Sequence, residues 1–227
     1  MGRRHILYMG KMKYYPVFLN LKRVKVVVVG GGRVAERKAS ALLKAGALVK
    51  IISPAITKTL EKYKKQGLVT HIKREYRQGD LRDAFIVIAA TSSSQINNSV
   101  EADSKDIPRL INVVDTPAKG NFIVPSIVKR GPLTIAISTE GCSPALSKAI
   151  RKELEDIYGS EFSHYLKFVE GIRRQAMKKI KDSGDREKFL KSLASEDIFS
   201  SLRKNGVTPA IKKIRSLMTN VSAIADS

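Results

Sequence analysis

Residues Val26–Ala39 read VVVVGGGRVAERKA: four valines, three glycines, then a run rich in helix formers. A short β-branched run that stops at glycine fits a strand buried on both faces, as in a parallel sheet. The spacing Gly30-x-Gly32-x-x-Ala35 matches the dinucleotide-binding fingerprint in the form that takes alanine last. In that reading Gly30 makes the tight turn, Gly32 lets backbone approach a pyrophosphate, and Ala35 lets helix and strand pack closely. Arg33, Val34 and Ala35 open the helix, where free N–H groups and the macrodipole favour phosphate. A second apolar run at Val49–Ile52 completes a βαβ unit. A glycine turn that only joins strand to helix is the competing reading; the full strand–turn–helix–strand context favours a nucleotide site.

One part of the fingerprint is missing. An Asp or Glu usually stands about 20 residues on and bonds the ribose 2′-hydroxyl. Here the second strand, VKIIS, ends at Ser53. A serine hydroxyl can bond a ribose, but it neither demands NAD nor repels the extra phosphate of NADP. These residues leave the choice open.

With 227 residues, 43% of them hydrophobic, the chain can bury a full core, and a disordered chain is excluded. No run approaches the ~18 apolar residues of a membrane span. The start, MGRRHILYMGKMKYYP, is basic but lacks the apolar core of a secretory signal. The single cysteine, Cys142, rules out an internal disulfide and suits a reducing cytosol. The expectation is a soluble, cytoplasmic protein. His5, His71, His164 and Cys142 are too scattered for a metal site.

Charge is the unusual feature: 42 Lys+Arg against 21 Asp+Glu, a net of +21. Residues 1–150 hold 26 basic and 10 acidic side chains, and residues 151–227 hold 16 and 11. The excess therefore lies with the nucleotide-binding half. Such a field draws nucleic acid, an acidic membrane or a polyanionic small molecule. No helix-turn-helix, zinc-finger or aromatic–basic RNA motif supports nucleic acid, and nothing supports a membrane.

Along the chain, Tyr14 to Leu19 reads as an apolar segment laid against the first strand. Helices are expected over Val34–Lys44 and Thr57–Gln66, and strands at VTHIKREY (69–76), AFIVIAA (84–90) and LINVV (110–114). His71 is expected to face solvent. Ligands of open α/β sheets bind beyond the carboxyl ends of the strands. The Thr91 turn and Asp115, each following such a strand, are therefore candidates, with Asn97 in the next helix within reach of cofactor or serving only to cap it. Asp115 also reads as a plain turn residue before Thr116-Pro117. NFIVPSIVKRGPLTIAIS (121–138) reads as a hairpin whose edge a second copy can cover. Ser143-Pro144 opens a helix to about Ile157. Apolar residues at Phe162, Tyr165, Leu166, Val169, Ile172, Ala176 and Ile180, then Phe189 to Ala194, then Ile211, Ile214, Leu217 and Met218 mark three more helices, the last capped by Thr208-Pro209.

The segments VVVVGGGRVAERKASALLKAGA, IAATSSSQIN, INVVDTPAKGNFIVPSIVKRGPLTIAIST and EGCSPALSKAIRKELE, in this order, resemble the precorrin-2 dehydrogenase / sirohydrochlorin ferrochelatase family, the siroheme-forming module without its methyltransferase domain. The resemblance covers roughly residues 14–175. It implies NAD as cofactor, oxidation of precorrin-2 to sirohydrochlorin, and in some members insertion of Fe²⁺. It also implies a homodimer held by the hairpin region. Gly30, Gly32 and the Thr91 turn match the family's cofactor segments, and Asp115 matches its catalytic acid–base aspartate. Thr139 stands where some relatives carry a phosphorylatable serine. The expected architecture is α/β: a Rossmann-like parallel sheet over 1–115, a dimerisation hairpin over 116–142 and a helical domain over 143–227. Cofactor-binding candidates are Gly30, Gly32, Arg33, Val34, Ala35, Ser53, Thr91 and Asn97; the catalytic candidate is Asp115. A dinucleotide-sensing regulator that meets nucleic acid, or an interaction protein that kept the fold without turnover, are the alternatives from other classes.

Overall fold

The computed structural model describes residues 13–105 and 109–225, with side chains described through Leu217. His5, most of the basic lead-in and the side chain of Met218 lie outside these residues. The described chain divides after Val124 into two compact units.

The first unit is a doubly wound sheet. Its strands are β1 (Lys25–Val29), β2 (Leu48–Ile52), β3 (Val69–Ile72), β4 (Ile86–Ala89) and β5 (Leu110–Val113), all parallel, in the order β3-β2-β1-β4-β5. The valine run is central, and Val26 to Val29 are buried. Val26 and Val28 pack with Ala35 and Ala39 of α1 (Arg33–Lys44) and Leu60 of α2 (Lys58–Lys65). Val27 and Val29 face the other way, onto Leu81, Ala84 and Val100 of α3 (Ser94–Ala102). Alternate side chains thus serve two cores, each fully buried valine contributing about 1.5–3 kcal/mol. Thr57 and Ser93 cap α2 and α3, accepting from the backbone N–H of Leu60 and Ile96.

Two expectations are corrected here. The Tyr14–Leu19 segment does not lie against the first strand: Tyr15, Val17 and Phe18 are exposed, and Leu21 is the first residue to enter the core. The cause is topological, since β2 and β4 take both edges of β1 and helices take the faces. His71 does not face solvent. It is half-buried opposite Ile51, with Nε2 2.9 Å from the Ser53 carbonyl oxygen and Nδ1 buried without a partner among the described residues.

The second unit begins with an antiparallel hairpin, β6 (Ser126–Arg130) and β7 (Leu133–Ile137), followed by α4 (Pro144–Ile157), α5 (Glu161–Lys179), α6 (Ser183–Ser192), α7 (Glu196–Asn205) and α8 (Val207–Ala225). Ser143 caps α4 by accepting from the Leu146 N–H at 3.1 Å, with Pro144 in its first turn. Arg130 ties the hairpin to the end of α4, donating to the carbonyls of Tyr158 and Glu155. Phe162, Tyr165, Ile172, Phe189, Leu193, Ile198, Leu202 and Ile214 form one core. The last helix starts at Val207, before the expected Thr208 cap, because α7 ends just ahead of it at Gly206, which has φ +80. Among the described residues no helix is long and apolar enough to cross a membrane.

Candidate functional site

The order of the strands reverses between β1 and β4, and in such sheets ligands bind outside the carboxyl ends at that point. A cleft of about 630 Å³ lies there, lined by the glycine loop, the residues after β2 and the Thr91 turn. Its size falls in the ~300–1,000 Å³ range of small-molecule sites.

The three glycines do different things. Gly30 has φ +118, and a Cβ there would stand 2.3 Å from the Ala90 carbonyl oxygen. A Cβ on Gly31 would stand 1.9 Å from the Ala55 carbonyl oxygen. These two wedge the loop between β4 and the chain leaving β2. Gly32 is the reverse case: its backbone is extended (φ −80, ψ −174), and a Cβ would meet nothing within 4 Å. It borders open cleft at the N-cap of α1, and no side chain caps that helix. The first-turn N–H groups, those of Arg33, Val34 and Ala35 among them, lack intrahelical partners and suit a diphosphate. Gly31→Ala should lower stability by about 1–3 kcal/mol through this backbone clash. A thermal melt of the variant without ligand reads it, and an unchanged midpoint contradicts the packing described.

The cleft brings together Gly30, Gly32, Ser53 and Thr91. Ser53 is 8% exposed and its hydroxyl donates to the Ala55 carbonyl at 2.7 Å, so it also shapes the loop after β2. Asn97 is not among the lining residues. Its amide nitrogen donates to the Thr91 carbonyl (3.1 Å), and its Oδ1 accepts from the Thr91 hydroxyl (2.9 Å), which fixes the turn. Arg33 is exposed, Val34 half-buried, and Ala35 is buried under α1 against the sheet. Their side chains do not line the cleft; their place is at the helix start.

Asp115 lies on the same edge of the sheet, just beyond β5, and is exposed. It has φ +61, a left-handed conformation that Asp and Asn tolerate best among residues with a Cβ. Its side chain has no hydrogen-bond or ion-pair partner among the described residues, which weakens the plain-turn reading. The loop that carries it is stitched back onto β5. Asn121 accepts from the Ile111 N–H (2.8 Å) and donates to the Arg109 carbonyl (2.7 Å), and Asn112 donates to the Phe122 carbonyl (3.2 Å). In the second unit the Thr139 hydroxyl donates to the Ser143 carbonyl at 3.0 Å ahead of α4.

Ser92 and Ser93 of the Thr91 turn line the cleft as expected, whereas Glu75, Tyr76, Pro54 to Thr57 and Ile96 also line it and were not expected there. The rule that points to the ends of β1, β4 and β5 points equally to the end of β3. Arg74 makes a bidentate pair with Asp80 (2.7 Å for each bond). That hydrogen bond holds the Asp80 carboxyl below its ordinary pKa. Burial, then the hydrogen bond it donates to Asp103, pushes the Tyr76 hydroxyl up, so it stays neutral. Among the described residues no group of three or more His, Cys, Asp or Glu is placed to hold a metal ion.

Fold and cleft together define a Rossmann-type dinucleotide-binding protein. Residues 17–126 match the family described as "Putative NAD(P)-binding", and residues 130–157 match the family described as "Sirohaem biosynthesis protein central". Siroheme synthase 1 of Aeromonas salmonicida is 35% identical over 186 residues, 82% of this chain and 40% of the relative. Siroheme synthase of Actinobacillus succinogenes is 36% identical over 202 residues, 89% of this chain and 42% of the relative. The chain thus spans about two fifths of the curated relatives it matches, 40% and 42% for these two. The solved structure of SirC, precorrin-2 dehydrogenase, superposes with a TM-score of 0.77 at 26% identity, over 89% of this chain and 100% of that one. Together these matches make the chain similar to the N-terminal module of siroheme synthases.

Proposed function

We propose that this chain oxidises precorrin-2 to sirohydrochlorin with NAD⁺, the dehydrogenase step of siroheme biosynthesis. The carrying observation is the likeness to a precorrin-2 dehydrogenase over that protein's whole length, which takes in both units of this chain. The relatives favour turnover over a sensing or nucleic-acid-binding role. When bound, NAD⁺ supplies a hydride acceptor.

The chain's own residues do the rest. Gly32 and the start of α1 receive the diphosphate, while Ser53 and the Thr91 turn, held by Asn97, shape the cleft around it. Removing two hydrogens from the substrate also requires a proton acceptor, and Asp115 is the group in this role. A positioned carboxylate base typically contributes ~10²–10⁴-fold. The basic excess suits a polycarboxylate tetrapyrrole, gathered by its field and held by charge-assisted hydrogen bonds. Two copies pair through the hairpin: β6 and β7 form a sheet of their own among the described residues, and Ile127 in β6 is exposed. Cys142, free and exposed, fits a reducing cytoplasm.

Anaerobic incubation with precorrin-2 and NAD⁺ tests the proposal. Sirohydrochlorin and NADH should rise together, one for one. Failure of both in folded protein removes the dehydrogenase reading. Fe²⁺ added after the oxidation is complete tests the iron insertion found in some family members, through protein-dependent formation of siroheme.

A further inference from the structure

Glu75 is the one charged residue among the described residues that line the cleft, and it is a carboxylate in a chain of net charge +21. A cleft that receives a diphosphate gains nothing from an unpaired anion unless that anion meets something specific. The position where the fingerprint places its acid is held by Ser53, whose hydroxyl proton already goes to Ala55. β3 runs beside β2 with Ile72 opposite Ile52, so Glu75, three residues beyond Ile72, comes out on the same edge. The Arg74 N–H bonds the Ile72 carbonyl (2.9 Å) and turns the chain over the cleft.

The cation next to Glu75 in the chain, Arg74, is taken. The Arg74 guanidinium holds both Asp80 oxygens and also donates to the Glu75 carbonyl (2.9 Å), which fixes the backbone at Glu75. The Glu75 carboxylate itself has no hydrogen-bond or ion-pair partner among the described residues. An ionised carboxylate accepts from hydroxyls strongly and repels phosphate. We infer that Glu75 supplies, from the neighbouring strand, the acid that β2 lacks: it accepts from the ribose hydroxyls of the dinucleotide and selects NAD⁺ against its 2′-phosphorylated form. The inference rests on the dinucleotide site proposed above and names its specificity residue.

Calorimetric binding of NAD⁺ and NADP⁺ to the wild-type protein, Glu75→Gln and Asp83→Asn tests it. Asp83 is an exposed carboxylate paired with Lys25 outside the cleft, so its variant removes the same charge elsewhere. Wild-type protein should prefer NAD⁺ by ~10-fold or more, the scale of one hydrogen bond to a charged group. Glu75→Gln should weaken NAD⁺, strengthen NADP⁺ and remove most of that ratio, while Asp83→Asn keeps it. An unchanged ratio in Glu75→Gln, an equal shift in Asp83→Asn, or a wild type without preference overturns the assignment. Binding of neither dinucleotide to folded wild-type protein overturns the site itself, and the role of Glu75 with it.

Discussion

Gly32→Val should leave a folded protein that no longer holds the dinucleotide. The extended backbone at Gly32 is one that any residue adopts, and a Cβ there meets no heavy atom within 4 Å. The cost to the fold is that of a poorer N-cap, about 1 kcal/mol or less. The cost to binding is much larger. The isopropyl group would fill the open side of the loop, between the ligand and the uncapped first turn of α1. Losing two charge-assisted bonds from backbone N–H groups to phosphate corresponds to ~100-fold or more in affinity. Calorimetry with NAD⁺ and a melt of the ligand-free variant separate the two quantities. Gly31→Ala is the opposite case one residue away, a smaller side chain that disturbs the fold first because backbone already occupies its space. A Gly32→Val protein that binds NAD⁺ like wild type would remove the glycine loop from the site.

The contrast shows what was legible in the sequence. Val26–Ala39 was readable because a strand buried on both faces must be apolar throughout, and the loop after it must lack side chains where backbone approaches backbone. Both constraints act on consecutive residues. Lys73 to Tyr76 were not readable in that way. THIKREY alternates as a half-buried strand should, yet β3 stops at Ile72, where its partner β2 ends, and the next residues turn over the cleft. A ladder needs a neighbour, and pattern alone does not say where the neighbour ends. His71 and the Tyr15–Phe18 segment failed for the same reason: their surroundings are set by which strands stand beside them. In the second unit α7 escaped notice because few of its positions are apolar, Ile198 and Leu202 being the two that are fully buried. Asn97 was readable as a residue near the cleft, but its bonds to the Thr91 turn depend on loop geometry that the spacing does not encode.

Asp115→Asn should lower the rate of precorrin-2 oxidation by at least ~10²-fold, the low end of what a general base supplies. The substitution is well matched to this position. Asp115 has φ +61, and Asn shares the tolerance of Asp for that left-handed conformation, so the turn keeps its backbone. The carboxylate has no partner among the described residues, so no native hydrogen bond is lost with the charge, and the anchors at Asn112 and Asn121 are untouched. Melting temperature and NAD⁺ affinity should therefore stay at wild-type values, since Asp115 is not among the residues lining the dinucleotide cleft. What disappears is the capacity to accept a proton at neutral pH. If the wild-type protein also inserts Fe²⁺, that activity should fall in parallel, because the macrocycle must lose its pyrrolic protons to a base in that step too. Asp115→Ala is the informative companion: it removes the same base but forces alanine into a left-handed backbone, so it should lose stability as well as rate. A turn residue without chemistry predicts the reverse, with turnover per folded molecule near normal in Asp115→Asn. Rate, melting temperature and NAD⁺ affinity measured on one preparation decide between them, and near-normal turnover takes the proton-transfer role away from Asp115.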